Sequence, residues 1–113
     1  MTIYVFDIDG TICSNTFGEY EKAEPIQARI DIVNNLYDSG NTVIFQTARG
    51  MGSNENNAKI AAEKWREITL LQLGNWGVRY HQLFLGKPAG DIYIDDKGQS
   101  DTTFFQNFPG KDV

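Results

Sequence analysis

Short apolar runs recur along the chain and alternate with segments in which apolar residues have helical spacing. The first run, Ile3 to Phe6, is continuous and contains β-branched and aromatic residues, which is typical of a strand buried on both faces. Comparable runs follow at three later places. We therefore predict four strands, at residues 2–7, 42–46, 83–85 and 91–94, with the second ending at Thr47.

Two longer segments between these runs repeat apolar residues every three or four positions, as an amphipathic helix does. Pro25 suits the first turn of the first helix, and Gly40 suits its C-terminal stop. A second helix is predicted to stop by Gly74. The polar segment 13–24 is predicted to be a loop or a short hairpin, and the segment 50–57 is predicted to be a loop. The apolar positions of the two helices are Ile26, Ile30, Val33, Leu36, Tyr37, Ala58, Ala61, Trp65, Ile68 and Leu71.

The predicted elements follow the order β-α-β-α-β-β. This alternation implies an α/β domain with a mostly parallel sheet and right-handed crossovers. The 113 residues suit a single domain, 1–113, with one core. Because the C-terminal segment contains Phe104, Phe105 and Phe108, we expect this aromatic tail to pack back on the core.

Charge and composition narrow the classes of partner. The net charge of −5 offers no electrostatic footprint for nucleic acid or an anionic membrane, so we expect neither. No apolar stretch approaches the roughly 20 residues that span a bilayer, and the first strand begins too early for a signal peptide. The single cysteine, Cys13, permits no internal disulfide, which suits a reducing cytosol. We therefore expect a cytoplasmic protein.

Two carboxylates, Asp7 and Asp9, stand where the first predicted strand ends. Residues two apart along a strand point the same way, so both carboxylates are expected to face one cleft. Gly10 would let the chain bend sharply out of the strand. Two anions about 4 Å apart repel by roughly 4 kcal/mol at an effective dielectric of about 20. A positive group is therefore expected beside them.

Three further polar signals follow the other predicted strands. Thr47 ends the second strand, Lys87 follows the third, and the pair Asp95 and Asp96 follows the fourth. In a parallel sheet these positions lie at the same edge, at the carboxyl ends of the strands, where α/β proteins bind their ligands. Carboxylates, a hydroxyl and an ammonium group suit the transfer of a phosphoryl group to a carboxylate. An acidic, oxygen-rich site of this kind also suits Mg²⁺.

These motifs carry a family resemblance that covers nearly the whole chain. The stretch DIDGT at 7–11, Thr47, Lys87 and IDD at 94–96 resemble, in order, the four motifs of the haloacid dehalogenase superfamily of phosphatases. The resemblance implies a three-layer, Rossmann-like, doubly wound sheet. The gaps between the first and second motifs and between the second and third are about 40 residues each and are mostly filled by one helix each, which leaves no room for a cap domain. The strings that are similar to a subgroup of capsule-biosynthesis phosphatases are QTARG at 46–50, WGVRYHQLFLGKP at 76–88 and DIYIDDK at 91–97.

The resemblance also implies a role for each motif residue. Asp7 would be the nucleophile that becomes the aspartyl-phosphate. Asp9 would be the general acid for the leaving group and then the base for the hydrolytic water. Thr47 and Gly10 would bind the phosphate, and Lys87 would neutralise both Asp7 and the transferring group.

The same resemblance implies a set of Mg²⁺ ligands. Asp95 would bind the ion directly, and Asp96 would be a further ligand or a neighbour of the ligands. Asp7 and the backbone carbonyl of Asp9 would complete the share of the coordination that the protein provides.

Three residues near the motifs have more than one interpretation. Arg49 could bind a substrate anion, because it follows Thr47 closely in the sequence, or it could pair with a structural carboxylate. His81, the only histidine, is expected to lie at the surface or to be locally hydrogen-bonded rather than catalytic. Cys13 is expected to be a small packing residue, because nothing nearby in the sequence would lower its pKa.

The leading hypothesis is a Mg²⁺-dependent phosphatase of a small phosphomonoester, and the subgroup resemblance indicates a sugar phosphate. An open site would also admit nucleotides, nucleic-acid ends or phosphoproteins. One alternative is a phospho-accepting, receiver-like signalling module, which combines the same residue types with Mg²⁺. A catalytically silent Mg²⁺-binding or interaction module is another. The exposed site and the aromatic tail are also compatible with a homodimer.

Overall fold

The computed structural model describes residues 1–108. It confirms an α/β fold in which three strands alternate with two long helices, and a short helix follows. Single 3-10 turns occupy Tyr20–Lys22 and Gly52–Asn54, in the two predicted loops. The elements are strand β1 (Ile3–Phe6), helix α1 (Gln27–Asp38), strand β2 (Thr42–Thr47), helix α2 (Ala58–Asn75), strand β3 (Gln82–Leu85) and helix α3 (Asp101–Asn107).

The three strands form one parallel sheet in the order β1-β2-β3. Phe6 of β1 lies opposite Phe45 of β2, which in turn lies opposite Leu83 of β3. Residues paired in this way point to the same side of the sheet. All three are buried, and they form one core cluster with Ile30 of α1 and Leu73 of α2.

The opposite face of the sheet is largely open. Ile3 and Val5 of β1 are 66% and 53% exposed, and Phe84 of β3 is 53% exposed. Residues of all three helices join the single core cluster on the buried face, so the described helices form one layer. Residues 1–108 thus form a two-layer α/β arrangement. The three-layer, doubly wound sheet, which needs helices on both faces, is not confirmed.

The prediction of a fourth strand at residues 91–94 is wrong. This segment pairs with none of the three strands in the described part of the chain, and its two isoleucines are 80% and 95% exposed. The hydroxyl of Tyr93 instead accepts a hydrogen bond from the N–H of Gly90 (2.9 Å) and donates one to the carbonyl of Pro88 (2.7 Å). An apolar run resembles a strand in sequence, but a strand forms only where a neighbour satisfies its backbone, and here the segment folds on itself.

Both predicted long helices are confirmed. Helix α1 begins two residues after Pro25 and ends before Gly40, whose φ of +91° is left-handed. The Asn57 side chain caps α2 by accepting a hydrogen bond from the N–H of Ile60 (3.1 Å). Because α2 continues to Asn75, Gly74 lies inside its last turn rather than beyond its end. No helix between residues 1 and 108 has the length and apolarity needed to traverse a bilayer.

The aromatic tail packs on the core, as predicted, and does so as helix α3. The ring of Phe105 is 4% exposed and stacks 6.0 Å from that of Phe6, while Phe104 meets Phe6 edge-on at 5.5 Å. Arg29 of α1 binds Asp101 at 2.6 Å and covers the Phe105 ring at 4.8 Å. The hydrogen bond from the Arg29 guanidinium lowers the pKa of the Asp101 carboxyl.

Cys13 is fully buried in the same core. Its sulfur lies 3.6 Å from the carbonyl oxygen of Ile8 and 3.6 Å from Oδ1 of Asp9. Burial, together with the nearby Asp9 charge, raises the pKa of the Cys13 thiol to about 12. Cys13 is therefore a packing residue, as predicted, and its thiol remains protonated at neutral pH.

We expect Phe105→Ala to lower the free energy of unfolding by about 3–5 kcal/mol, because it replaces a buried aromatic ring by a cavity. Chemical denaturation monitored by circular dichroism measures this change. Phe17→Ala is the matched control, since Phe17 is 91% exposed, and we expect it to stay within about 0.5 kcal/mol of the parent. Equal effects of the two substitutions would contradict the packing of α3 described above.

We expect Cys13 to resist iodoacetamide in the folded protein at about pH 8, because the reactive species is the thiolate. Mass spectrometry of the intact chain measures the alkylated fraction over time. In denaturant the same thiol should react at the rate of an unstructured cysteine. Rapid alkylation without denaturant would show that the thiol is neither buried nor protonated.

Candidate active site

Asp7 and Asp9 follow β1 directly, and the structure brings both into one cleft. The Asp7 side chain is 34% exposed and that of Asp9 is 17% exposed, while Ile8 between them is fully buried. The chain turns away at Gly10, whose φ is +81° and whose N–H donates to the carbonyl of Cys13 (2.9 Å). A left-handed φ favours glycine at this bend.

Lys87 supplies a positive group beside Asp7. Its Nζ lies 3.8 Å from Oδ1 of Asp7 and 4.4 Å above the ring of Tyr93. The N–H groups of Gly86 and Lys87 both lie 3.2 Å from the carbonyl oxygen of Thr47, and this contact joins the ends of β2 and β3. Burial raises the pKa of the Asp7 carboxyl, and the Lys87 charge opposes that effect.

Thr47 ends β2 at the floor of the cleft and is 1% exposed. Its Oγ1 accepts a hydrogen bond from the N–H of Arg49 (3.1 Å). Within residues 1–108 the Thr47 hydroxyl is recorded only as an acceptor. A hydroxyl has one proton to donate as well as lone pairs to accept, so Thr47 retains a donor for a group that enters the cleft.

Arg49 pairs with Asp9. Its Nε lies 2.9 Å from Oδ2 of Asp9, and one terminal nitrogen lies 3.0 Å from Oδ1. The other terminal nitrogen donates to Oγ1 of Thr69 (3.1 Å) and to Oε1 of Gln72 (2.6 Å), both on α2. Of the two interpretations of Arg49, the structure therefore favours the pairing with a carboxylate of the protein.

Asp95 and Asp96 are exposed and are not among the residues that line the cleft. Oδ1 of Asp95 accepts the N–H of Lys97 (2.8 Å), which lowers the pKa of that carboxyl. Among residues 1–108, no three acidic, histidine or cysteine side chains are grouped as a metal-binding set. The structure thus does not group this pair with Asp7 and Asp9.

His81 is locally hydrogen-bonded, as expected. Its Nδ1 accepts the N–H of Val43 (3.1 Å), and its ring stacks on that of Tyr37 at 4.6 Å. His81 is not among the residues that line the cleft.

The cleft has a volume of about 420 Å³. Its outer wall comes from the loop after the acidic pair, including Asn15, Phe17 and Tyr20, and Tyr93 lines it as well. Phe17 is 91% exposed and adopts a left-handed φ of +54°, a conformation that is unfavourable for an aromatic residue. An exposed aromatic side chain in a strained backbone conformation at the mouth of a cleft is a feature of binding loops.

Sequence reasoning missed several residues that shape this site. Thr69 and Gln72, which bind Arg49 from α2, are two of them. The only signal was that two polar residues stand one turn apart in an otherwise apolar helix segment. Phe17 and Tyr93 carried no signal that connects them with the cleft.

No protein-family model and no curated protein matches the sequence. The structure is similar to the crystal structure of a structural-genomics target from Vibrio cholerae, with a TM-score of 0.87 and 24% identity, over 98% of this chain and 93% of that chain. It is also similar to a chain in the structure of a Pnkp1/Rnl/Hen1 complex, with a TM-score of 0.56 and 20% identity, over 97% of this chain and 35% of that chain. These likenesses show a shared small α/β fold.

Proposed function

We propose that the protein is a Mg²⁺-dependent phosphomonoester hydrolase of the capless haloacid dehalogenase type, which works through an aspartyl-phosphate on a small phosphorylated substrate. One observation carries the proposal. Two carboxylates from one strand end share a cleft, and each has its own cation, Lys87 for Asp7 and Arg49 for Asp9. A pair of acidic residues held in different surroundings suits two different chemical roles.

Asp7 is the nucleophile in this proposal. A carboxylate oxygen of Asp7 attacks the phosphorus, and the bond from phosphorus to the leaving-group oxygen breaks. The Lys87 ammonium, 3.8 Å from Asp7, balances the charge of the nucleophile and of the phosphoryl oxygens. The hydroxyl of Thr47 donates its proton to one of those oxygens in a hydrogen bond.

Asp9 moves the protons in both steps. In the first step it gives a proton to the leaving-group oxygen, which departs as an alcohol. In the second step it takes a proton from the water that attacks the phosphorus of the aspartyl-phosphate. This step releases inorganic phosphate, restores the Asp7 carboxylate and returns the proton to Asp9.

Asp7 fits the proposed role of Mg²⁺ ligand, because its carboxylate is partly exposed in the cleft and Mg²⁺ binds through one or two carboxylates with phosphate and water. The Asp9 carboxylate bonds Arg49 through both oxygens, so we propose that Asp9 contributes its backbone carbonyl. Asp95 and Asp96 do not line the cleft in this structure, so they are proposed as ligands on the family resemblance alone. When bound, Mg²⁺ would neutralise phosphoryl charge.

The cleft favours a small substrate with a ring. Phe17 and Tyr93 expose aromatic faces among its lining residues, and such faces pack on the apolar side of a sugar. The net charge of −5 weighs against nucleic-acid ends. We therefore propose a sugar phosphate as the substrate class.

We expect Asp7→Asn to reduce phosphate release by at least about 10³-fold, because the amide cannot form the acyl-phosphate. Release of phosphate from sugar phosphates, nucleotides and DNA 3′-phosphates, with Mg²⁺ present, measures the activity. Asp31→Asn, on the exposed side of α1, is the control and should keep full activity. Full activity of Asp7→Asn would rule out the nucleophile, and a phosphorylated Asp7 that persists for hours would favour a receiver-like module.

We expect Mg²⁺ to raise the melting temperature, because a ligand at 100 times its dissociation constant stabilises the native state by about 2.7 kcal/mol. Differential scanning fluorimetry with Mg²⁺ or with a chelator measures the shift. Asp95→Asn should remove most of the response to Mg²⁺ if Asp95 binds the ion. A melting temperature that is the same with Mg²⁺ and with chelator would count against the metal site.

A further inference from the structure

The guanidinium of Arg49 is held on all sides by the protein. Its side chain is 0% exposed, and four of its five N–H groups donate to protein oxygens, two on Asp9 and one each on Thr69 and Gln72. An arginine with so many of its donors engaged has little capacity to bind a substrate anion. Arg49 instead holds the Asp9 carboxylate, to which it donates two hydrogen bonds, in a fixed position.

The bonded carboxylate is fixed in its plane as well as in its position. Two parallel N–H donors on two carboxylate oxygens allow one relative orientation, which a lysine ammonium cannot reproduce. Each Asp9 oxygen has two lone pairs. Oδ1 accepts from Arg49 and has the Cys13 sulfur 3.6 Å away, whereas the one hydrogen bond recorded for Oδ2 is from Nε of Arg49. Oδ2 is thus the oxygen with a lone pair left for a proton.

The guanidinium itself is aligned from two other elements. Gln72 uses its Oε1 for Arg49 and its Nε2 for the backbone carbonyl of Tyr20 (2.6 Å). The Tyr20 ring lies under the guanidinium, and its hydroxyl accepts the N–H of Gly50 (3.0 Å). The Asp9 carboxylate is therefore connected through Arg49 to helix α2 and to the loop that walls the cleft.

The backbone of Gly50, beside this network, has no space for a side chain. A Cβ atom at Gly50 would lie 2.4 Å from the Trp65 ring, and the Trp65 ring meets that of Tyr20 edge-on at 4.7 Å. Close packing of this kind transmits small displacements rather than absorbing them.

We infer that Arg49 is a positioning residue, with Gln72 as its support, that aims Oδ2 of Asp9 at the proton it transfers. This inference rests on the proposed phosphatase function, because it gives Asp9 the task of acid and base. Arg49 lines the cleft, but its side chain is 0% exposed, so we assign its contribution to the proton transfer rather than to binding.

Arg49→Lys tests the inference, because lysine keeps the positive charge but cannot donate the two parallel hydrogen bonds to Asp9. We expect the rate of leaving-group release in the first turnover, before Asp9 acts as the base, to fall about 10²-fold for an alkyl or sugar phosphate, since misplaced groups lose about that much. KM should stay within about threefold of the parent. For p-nitrophenyl phosphate, whose leaving group departs without a proton, the first-turnover rate should fall less than about tenfold, whereas steady-state turnover falls on both esters because the second step needs Asp9 as the base. Asp9→Asn should show the same contrast between esters in the first turnover.

Two further variants complete the set. Gln72→Met removes the hydrogen bond that supports Arg49 and keeps a similar side-chain volume. We expect the same kind of difference between the two esters, but a smaller one. This variant keeps the test valid if Arg49→Lys does not fold. Arg79→Lys is the matched control, because Arg79 forms the same fork on Asp38 at 2.9 and 2.6 Å but on the exposed surface. It should match the parent on both esters.

Equal losses of the first-turnover rate on the two esters, or a rise in KM that accounts for the whole effect, would overturn the inference and make Arg49 a structural or substrate-binding residue. A parent protein that is inactive on every ester would instead refute the proposed function. Crystal structures of the parent and of Arg49→Lys then test the inference without any measurement of activity. The Asp9 carboxylate should occupy one orientation in the parent and several in Arg49→Lys, and an unchanged carboxylate would contradict the positioning role.

Discussion

The buried ion pair between Asp9 and Arg49 connects the parts of this small domain that form the cleft. It joins the turn after β1 to the turn after β2, and through Thr69 and Gln72 it reaches α2. Its stabilising effect is conditional, because two charges leave water to form it. Once Arg49 is fully enclosed, however, loss of its carboxylate would leave an uncompensated charge, which typically costs about 3–5 kcal/mol. The geometry of the cleft and the stability of the fold therefore depend on the same contact.

The two neighbouring carboxylates show how surroundings differentiate identical groups. Asp7 is one-third exposed and meets a single ammonium at 3.8 Å, so it retains freedom to approach a ligand. Asp9 is held by a planar fork at 2.9 and 3.0 Å. The mutual repulsion expected from the sequence is thus relieved by two separate cations on two different strand connections. This separation lets one residue move toward a substrate while the other stays fixed.

Predictions from the sequence succeeded where a pattern is set by a single element and its neighbours. The three paired strands, both long helices and the packing of the tail follow from apolar periodicity. The strand at 91–94 was wrong because the same apolar run needs a partner for its backbone, and Tyr93 offers a local alternative through its hydroxyl. The acidic cleft and Lys87 followed from strand ends. Thr69, Gln72 and Phe17 could not be found, because their relation to the cleft depends on side-chain directions that no periodicity encodes.

The open face of the sheet has a consequence for the behaviour of the protein in concentrated solution. Ile3, Val5 and Phe84 present apolar surface to water, and the outer edge of β1 has no strand beside it within residues 1–108. An uncovered edge of this kind invites adhesion between molecules. The surplus of five negative charges keeps copies apart by mutual repulsion. Colloidal stability therefore depends on that surplus. The protein should self-associate at low pH, where the negative charges are neutralised, or at high ionic strength, where their repulsion is screened.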